Sequence, residues 1–170
     1  MKSANILLGE DWHVSVCDFG TSRAYLTQLD EREKANLVGT TAWMAPEMFG
    51  EQGYNEKADV YSFSMVLCEL LTRKPPFHGT KTWAIPNKVI AGERPRISYD
   101  LPTEPKGFSV AKALCKLCWH QTPNKRPTFA AILAKLEPLL KAATDDAVVP
   151  PPSLQRVLSA KADGLLMPAM

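Results

Sequence analysis

The chain has 170 residues, 45% of them hydrophobic, so it can bury one substantial core, and we expect a single domain with a short tail. Its 20 basic and 18 acidic residues are spread along the chain and leave a net charge of +2, which gives no basic stripe for nucleic acid. No apolar run reaches the roughly 18 residues of a membrane span or resembles a signal peptide, so we expect a soluble protein of the cytoplasm.

The N-terminal residues predict a β-hairpin followed by a long surface segment. Apolar runs at 5–8 and 12–17 flank a polar turn at 9–11, as two strands joined by a tight turn require. From Thr21 to Asn36 the sequence is polar and follows neither the strand period nor the helix period. Such a segment predicts a surface loop, and long loops are often functional.

The remainder of the chain predicts helices. Residues 57–73 carry apolar side chains on more than one face, which predicts a buried central helix ended by Pro75 and Pro76. Three further helices are expected at 82–91, 110–119 and 128–140. Pro86 must lie in the first turn of the second helix or break it. We assign 1–141 to the domain and 142–170 to a Pro-containing linker and flexible tail.

Four cysteines lie in apolar runs, where a reduced thiol behaves as a small hydrophobic side chain: Cys17, Cys68, Cys115 and Cys118. Cys115 and Cys118 have the C-x-x-C spacing that also occurs at zinc sites. No second cysteine pair or nearby histidine pair completes the four ligands of such a site. We therefore favour reduced cysteines in a core helix over a zinc site.

Asn5 and Asp18 flank the predicted hairpin, which would bring them to the same edge. An amide oxygen and a carboxylate suit Mg²⁺, which binds nucleotide phosphates with one or two carboxylates and completes its shell with phosphate and water oxygens. Taken alone, an asparagine and an aspartate beside a hairpin are more often turn formers. This pair by itself leaves both interpretations open.

Five short sequence strings occur in one order along the chain. They are KSANILL at 2–8, VCDFG at 16–20, GTTAWMAPE at 39–47, DVYSF at 59–63, and CW at 118–119 followed by RP at 126–127. In this order they resemble the eukaryotic protein kinase family, from its catalytic loop to its last helix. WMAPE and the CW-then-RP ending are similar to the tyrosine-kinase-like group, whose members are mostly serine/threonine kinases.

The resemblance implies an α+β protein-kinase-like fold, with a mainly α-helical C-terminal lobe, a short β-hairpin at its N-terminus and no N-terminal lobe. It implies transfer of the γ-phosphate of ATP to serine or threonine of protein substrates. By this resemblance Asn5 and Asp18 bind Mg²⁺ and, with Lys2, the ATP phosphates, while Lys2 neutralises the transferred phosphoryl group. Thr40 resembles the threonine that bridges the catalytic aspartate and lysine in serine/threonine kinases.

The resemblance also implies structural and regulatory residues. Glu47 is expected to pair with Arg126 and so to fix the end of the activation segment on the helical core. Asp59 resembles the aspartate that accepts amide hydrogen bonds from the catalytic loop, although a carboxylate there also suits the helix dipole. Thr27 and Thr41 are candidate phosphorylation sites, but most loop hydroxyls are simply solvated.

The family pattern H-R-D-x-x-x-x-N, aligned on Asn5, places the catalytic aspartate immediately before Met1. The glycine-rich loop, the phosphate-binding lysine and its glutamate partner are not in this sequence either. We expect this chain alone to be inactive, with an exposed apolar face that suits the missing N-terminal lobe or another kinase. The alternative is a non-catalytic interaction or regulatory module, which would not need Lys2, Asn5, Asp18 and Thr40.

Overall fold

The computed structural model describes residues 1–10, 13–18, 40–50, 53–98 and 107–145. Within these ranges the elements are strands β1 (Ile6–Leu8) and β2 (Val14–Val16) and helices α1 (Lys57–Thr72), α2 (Ile85–Ile90), α3 (Phe108–Cys118) and α4 (Phe129–Asp145). Short 3-10 turns cover Ser3–Asn5, Thr41–Trp43, Pro46–Phe49, Thr82–Ala84 and Pro123–Lys125. The predicted mainly helical α+β fold is confirmed. The predicted loop at 21–36 and most of the tail lie outside the described residues.

The N-terminal hairpin is present as predicted. β1 and β2 pair antiparallel, with Ile6 opposite Val16 and Leu8 opposite Val14. The Cys17 amide donates to the Asn5 carbonyl at 2.9 Å, which extends the pairing by one residue beyond β1. Residues 5 and 18 therefore lie at the same end of the hairpin because the antiparallel register requires it.

The hairpin exposes apolar side chains on both of its faces. Its four large aliphatic side chains are 44–58% exposed: Leu7, Leu8, Val14 and Val16. A two-stranded sheet cannot bury both of its faces by itself, so these side chains remain in contact with water. That an N-terminal lobe covers these side chains stays a prediction.

Helix α1 is the buried central helix. Its buried residues include Val60, Tyr61 and Met65, each at most 1% exposed. On one side α1 packs against α3 and α4, and on the other against α2 and residues 42–45. A helix buried on several sides needs apolar and small side chains around most of its circumference, as this sequence supplies.

The helix ends differ slightly from the predictions. α1 ends one residue early because Arg73 adopts a left-handed backbone conformation (φ 55°) that caps the helix. Pro86 lies in the first turn of α2, where its missing amide costs nothing. α4 continues past residue 140 to Asp145, since residues 141–144 contain two alanines and no helix breaker. The boundary at 141 therefore falls inside α4, and the division into domain and tail stays a prediction.

Three of the four cysteines lie in core helices. Cys68, Cys115 and Cys118 are at most 1% exposed, and all four cysteines are free. The Cys115 thiol donates to the Ser64 carbonyl at 3.1 Å, which joins α3 to α1. Burial raises the pKa of Cys118 to about 12. These thiols are packing groups between two helices, and the core-helix prediction is confirmed.

Among the residues that the structure describes, no helix combines the length and apolar character that crossing a bilayer would need.

Candidate active site

Two pairs of predicted site residues come together around the 3-10 turn Ser3–Asn5. Lys2 Nζ donates to Thr40 Oγ1 at 3.4 Å across 38 residues of sequence. Asn5 Nδ2 donates to Asp18 Oδ2 at 3.2 Å. The backbone N–H of Asn5 donates to the backbone carbonyl of Lys2 at 3.0 Å, so Lys2 and Asn5 belong to one backbone turn. The structure thus places Lys2, Asn5, Asp18 and Thr40 around one short segment.

Asp18 has a strained backbone. Its φ of 62° lies in the left-handed region, which aspartate tolerates better than most side chains but which still costs energy. Its carboxylate is exposed and is bonded to the half-buried Asn5. Residues held in such conformations concentrate at functional sites, where the position of a side chain outweighs the cost of backbone strain.

The Asn5–Asp18 pair fits a magnesium ion that also binds phosphate. The amide nitrogen of Asn5 faces Asp18 Oδ2, so the amide oxygen of Asn5 and the second carboxylate oxygen of Asp18 remain as hard oxygen donors. Magnesium needs few protein ligands, because water and phosphate oxygens complete its octahedral shell. The exposure of Asp18 leaves the pair open to a ligand from solvent.

Glu47 and Arg126 form a buried bidentate ion pair. Nη1 and Nη2 of Arg126 donate to the two Glu47 carboxylate oxygens at 2.6 and 2.8 Å. The guanidinium also donates to the carbonyls of His120 and Lys57, both at 2.8 Å, and to that of Gln121 at 3.3 Å. This network fixes the turn that carries Glu47 on the start of α1, in the place where the resemblance implies such a pair.

Tyr61 and Arg94 lie beside Arg126, and the sequence analysis gave neither of them a role of its own. Tyr61 is fully buried, and the guanidinium carbons of Arg94 and Arg126 lie 5.1 and 5.2 Å from its ring centroid. Arg94 Nε donates to the Trp119 carbonyl at 2.9 Å. Burial raises the pKa of Tyr61 to about 12 and lowers that of Arg94. The aromatic ring thus contacts two cations, of which Arg126 is buried and Arg94 is half-buried.

Glu69 is a third residue to which sequence reasoning gave no role. One oxygen of its carboxylate accepts a hydrogen bond from Trp43 Nε1 at 2.8 Å, and the other accepts one from Ser3 Oγ at 3.1 Å. Ser3 lies between Lys2 and Asn5 in the sequence, and Trp43 follows Thr40 and Thr41. A helical glutamate gives no signal of this kind, because the two segments meet it only in the folded chain.

Asp59 lies in the first turn of α1, with its side chain 61% exposed and Oδ1 3.6 Å from the amino group of Met1. The N-terminal segment therefore reaches the start of α1. The position agrees with a contact to catalytic-loop backbone and equally with a carboxylate at the positive end of a helix dipole.

The two candidate phosphorylation sites differ in what the structure describes. Thr27 lies outside the described residues. Thr41 Oγ1 is buried and finds no hydrogen-bond partner in the described part of the chain. It borders a cleft of about 250 Å³ whose other wall includes Phe77 and Ile85. Phosphorylation of Thr41 would require this segment to leave its present position.

The sequence matches the model of the protein kinase domain family over residues 1–136. The chain belongs to the eukaryotic protein kinase family. The match covers the elements from the turn at Lys2 into α4.

Several kinases are similar to this chain over most of its length. A probable LIM domain-containing serine/threonine-protein kinase of Dictyostelium discoideum is 41% identical over 85% of the chain. The RGS domain-containing serine/threonine-protein kinase A of the same organism is 40% identical over 82%. Serine/threonine/tyrosine-protein kinase HT1 of Arabidopsis thaliana is 42% identical over 81%. The chain spans 21%, 12% and 33% of these three proteins.

Proposed function

We propose that this kinase domain, joined to an N-terminal lobe, transfers the γ-phosphate of ATP to serine or threonine hydroxyls of protein substrates. The observation that carries the proposal is the arrangement of Lys2, Thr40, Asn5 and Asp18 around the turn at residues 3–5. A scaffold would need none of these side chains, whereas phosphoryl transfer needs positioned positive charge and oxygen ligands.

Each of these side chains has a role in the proposed reaction. Magnesium and ATP, when bound, supply the phosphoryl group and neutralise the phosphate charge. Asn5 and Asp18 supply the oxygen ligands, and their hydrogen bond holds both in place. Lys2 presents an ammonium group to the transferred phosphoryl group, with its Nζ 3.4 Å from Thr40 Oγ1.

Specificity for serine and threonine is supported by Lys2 and Thr40, which resemble the serine/threonine kinase pattern, and by the names of the relatives. WMAPE and the CW-then-RP ending support membership of the tyrosine-kinase-like group. One relative is named as a serine/threonine/tyrosine kinase, so a test must include tyrosine. Four free cysteines suit a reducing compartment, in agreement with the cytoplasm.

We further propose that the 170-residue polypeptide alone transfers no detectable phosphate. The family pattern places the general base before position 1, and general base catalysis contributes about 100 to 10,000-fold. The groups that clamp the nucleotide from the N-terminal lobe would be lost as well. Together these losses exceed what Lys2, Asn5 and Asp18 can compensate.

The test compares the 170-residue chain with a polypeptide extended upstream through a complete N-terminal lobe. Both receive Mg²⁺, labelled ATP, and peptides with serine, threonine or tyrosine as acceptor. We expect phosphorylation of serine or threonine by the extended protein only, and its loss in the Asp18→Asn variant. Activity of the short chain would overturn the placement of the base, and phosphorylation of tyrosine alone would overturn the specificity.

A non-catalytic interaction module is the second candidate, and the exposed hairpin surface favours it. Leu7 on one face of the hairpin, and Leu8 and Val14 on the other, are each more than 50% exposed, and these side chains would bury apolar area against a kinase N-terminal lobe. Titration of the chain with an isolated N-terminal lobe, followed by calorimetry, tests this function. Binding that Leu7→Asp weakens, together with inactivity of the extended protein, would favour the module over the kinase.

A further inference from the structure

Glu69 joins two segments that are far apart in the sequence. Its carboxylate accepts hydrogen bonds from Ser3 Oγ at 3.1 Å and from Trp43 Nε1 at 2.8 Å, across 66 and 26 residues. Ser3 belongs to the turn that carries Lys2 and Asn5, and Trp43 to the segment that carries Thr40. The two segments that supply the proposed phosphoryl-transfer residues therefore share one carboxylate.

The direct contact between these segments is weaker than the contact through Glu69. Lys2 Nζ and Thr40 Oγ1 are 3.4 Å apart, beyond the usual range of about 2.7–3.2 Å for an N–H···O hydrogen bond. Both bonds to Glu69 are shorter and have an ionised acceptor, which strengthens them. The separation of the two segments thus depends on Glu69 more than on Lys2 and Thr40.

The Glu69 carboxylate extends from the buried central helix of the domain. Glu69 follows Cys68, which is 1% exposed, in the central helix α1. Ser62, two turns earlier in α1, donates to the Trp43 carbonyl at 2.8 Å. Trp43 is therefore held at its backbone and at its indole by the same helix, while Ser3 is held by the other oxygen of Glu69.

We propose that Glu69 is a positioning residue that sets the separation between the turn carrying Lys2 and Asn5 and the segment carrying Thr40. The catalytic consequence rests on the proposed kinase activity, whereas the structural coupling does not. Glutamine should replace Glu69 with little loss. Its oxygen can accept from Trp43, and its amide can donate to the Ser3 hydroxyl, which is able to accept. Alanine removes both bonds.

The first experiment measures the coupling in the 170-residue chain, without catalysis. The indole N–H resonance of Trp43 is identified in an ¹⁵N spectrum by its loss in Trp43→Phe. We expect Ser3→Ala to shift this resonance and the Thr40 amide, and to have no such effect in a Glu69→Ala background. Glu93→Ala is the matched control, because the Glu93 carboxylate accepts a hydrogen bond from Lys88, five residues away, rather than joining two distant segments.

The second experiment measures steady-state phosphorylation by the protein extended through an N-terminal lobe. We expect Glu69→Ala to lower kcat by about 10 to 100-fold, as misplacement of reacting groups does, with KM for ATP little changed. Glu69→Gln should retain most of the wild-type kcat, and urea midpoints of both variants report on folding.

The outcomes of the two experiments separate this inference from the proposed function. An inactive extended wild type would overturn the kinase proposal, and the spectra would still decide the coupling. A Trp43 resonance that responds to Ser3→Ala equally with and without Glu69 would overturn the coupling. Wild-type kcat in Glu69→Ala, with only a lower urea midpoint, would reduce Glu69 to a stabilising residue and overturn the positioning role.

Discussion

Removal of the Glu47 carboxylate should destabilise the domain far more than removal of Glu93, a surface glutamate with an ion pair of similar length. The Arg126 side chain is fully buried and that of Glu47 is 16% exposed, at an N···O distance of 2.6 Å. Breaking a buried ion pair costs about 3–5 kcal/mol, because a charge is left without its partner. The partial exposure of Glu47 lets water approach Arg126 after truncation, so we take about 3 kcal/mol for Glu47→Ala, or a Tm lower by about 6–12 °C.

Glu93→Ala is the control that isolates burial. Glu93 pairs with Lys88 at 2.7 Å, but their side chains are 55% and 38% exposed. An exposed pair of this kind contributes about 0–1 kcal/mol. Urea denaturation followed by circular dichroism measures both variants, and Glu47→Gln, which keeps one acceptor, should fall between them. Equal losses in Glu47→Ala and Glu93→Ala would refute the reasoning, since they would show that the burial of Arg126 adds nothing.

Three further predictions concern buried groups and backbone conformation. At pH 8 iodoacetamide should label Cys17 in the folded chain but Cys118 only after denaturation, because Cys118 is buried and its pKa is raised to about 12. Mass spectrometry identifies the labelled sites, and labelling of Cys118 in the folded chain would contradict its burial. Burial raises the pKa of Tyr61 from about 10 to about 12, so the folded state keeps the phenol protonated at pH values where the unfolded state loses the proton, and the resulting stability is lost as pH rises from about 10 to about 12. In Tyr61→Phe the urea midpoint should therefore fall less over this pH range than in the wild type. An equal fall in both proteins would be evidence against the raised pKa. Gly107→Ala should destabilise the chain more than Gly92→Ala in urea unfolding. Both glycines have φ above 80°, but of the two only at residue 107 would an added Cβ lie 3.1 Å from a side-chain carbon, that of Leu139. Equal losses of stability in the two variants would mean that Leu139 moves away.

The sequence by itself determined the family, the hairpin and the central helix. Two apolar stretches around a tight polar turn are a local property, and so is an apolar helical run ended by two prolines. The pairing of Asn5 with Asp18 also followed from local geometry, because an antiparallel hairpin brings its two ends together. The strings shared with kinases then indicated roles for Lys2 and Thr40 that no periodicity could supply.

Only the tertiary structure decided which side chains meet across the chain. Glu69 contacts Ser3 and Trp43 because α1 passes beneath both segments, and its position in a helix does not reveal that path. Burial of Arg94 beside Tyr61 likewise depends on how α1 and the residues after α2 pack. Helix and strand patterns are set by neighbours within a few residues, whereas contacts across 26 or 66 residues depend on the packing of the whole core.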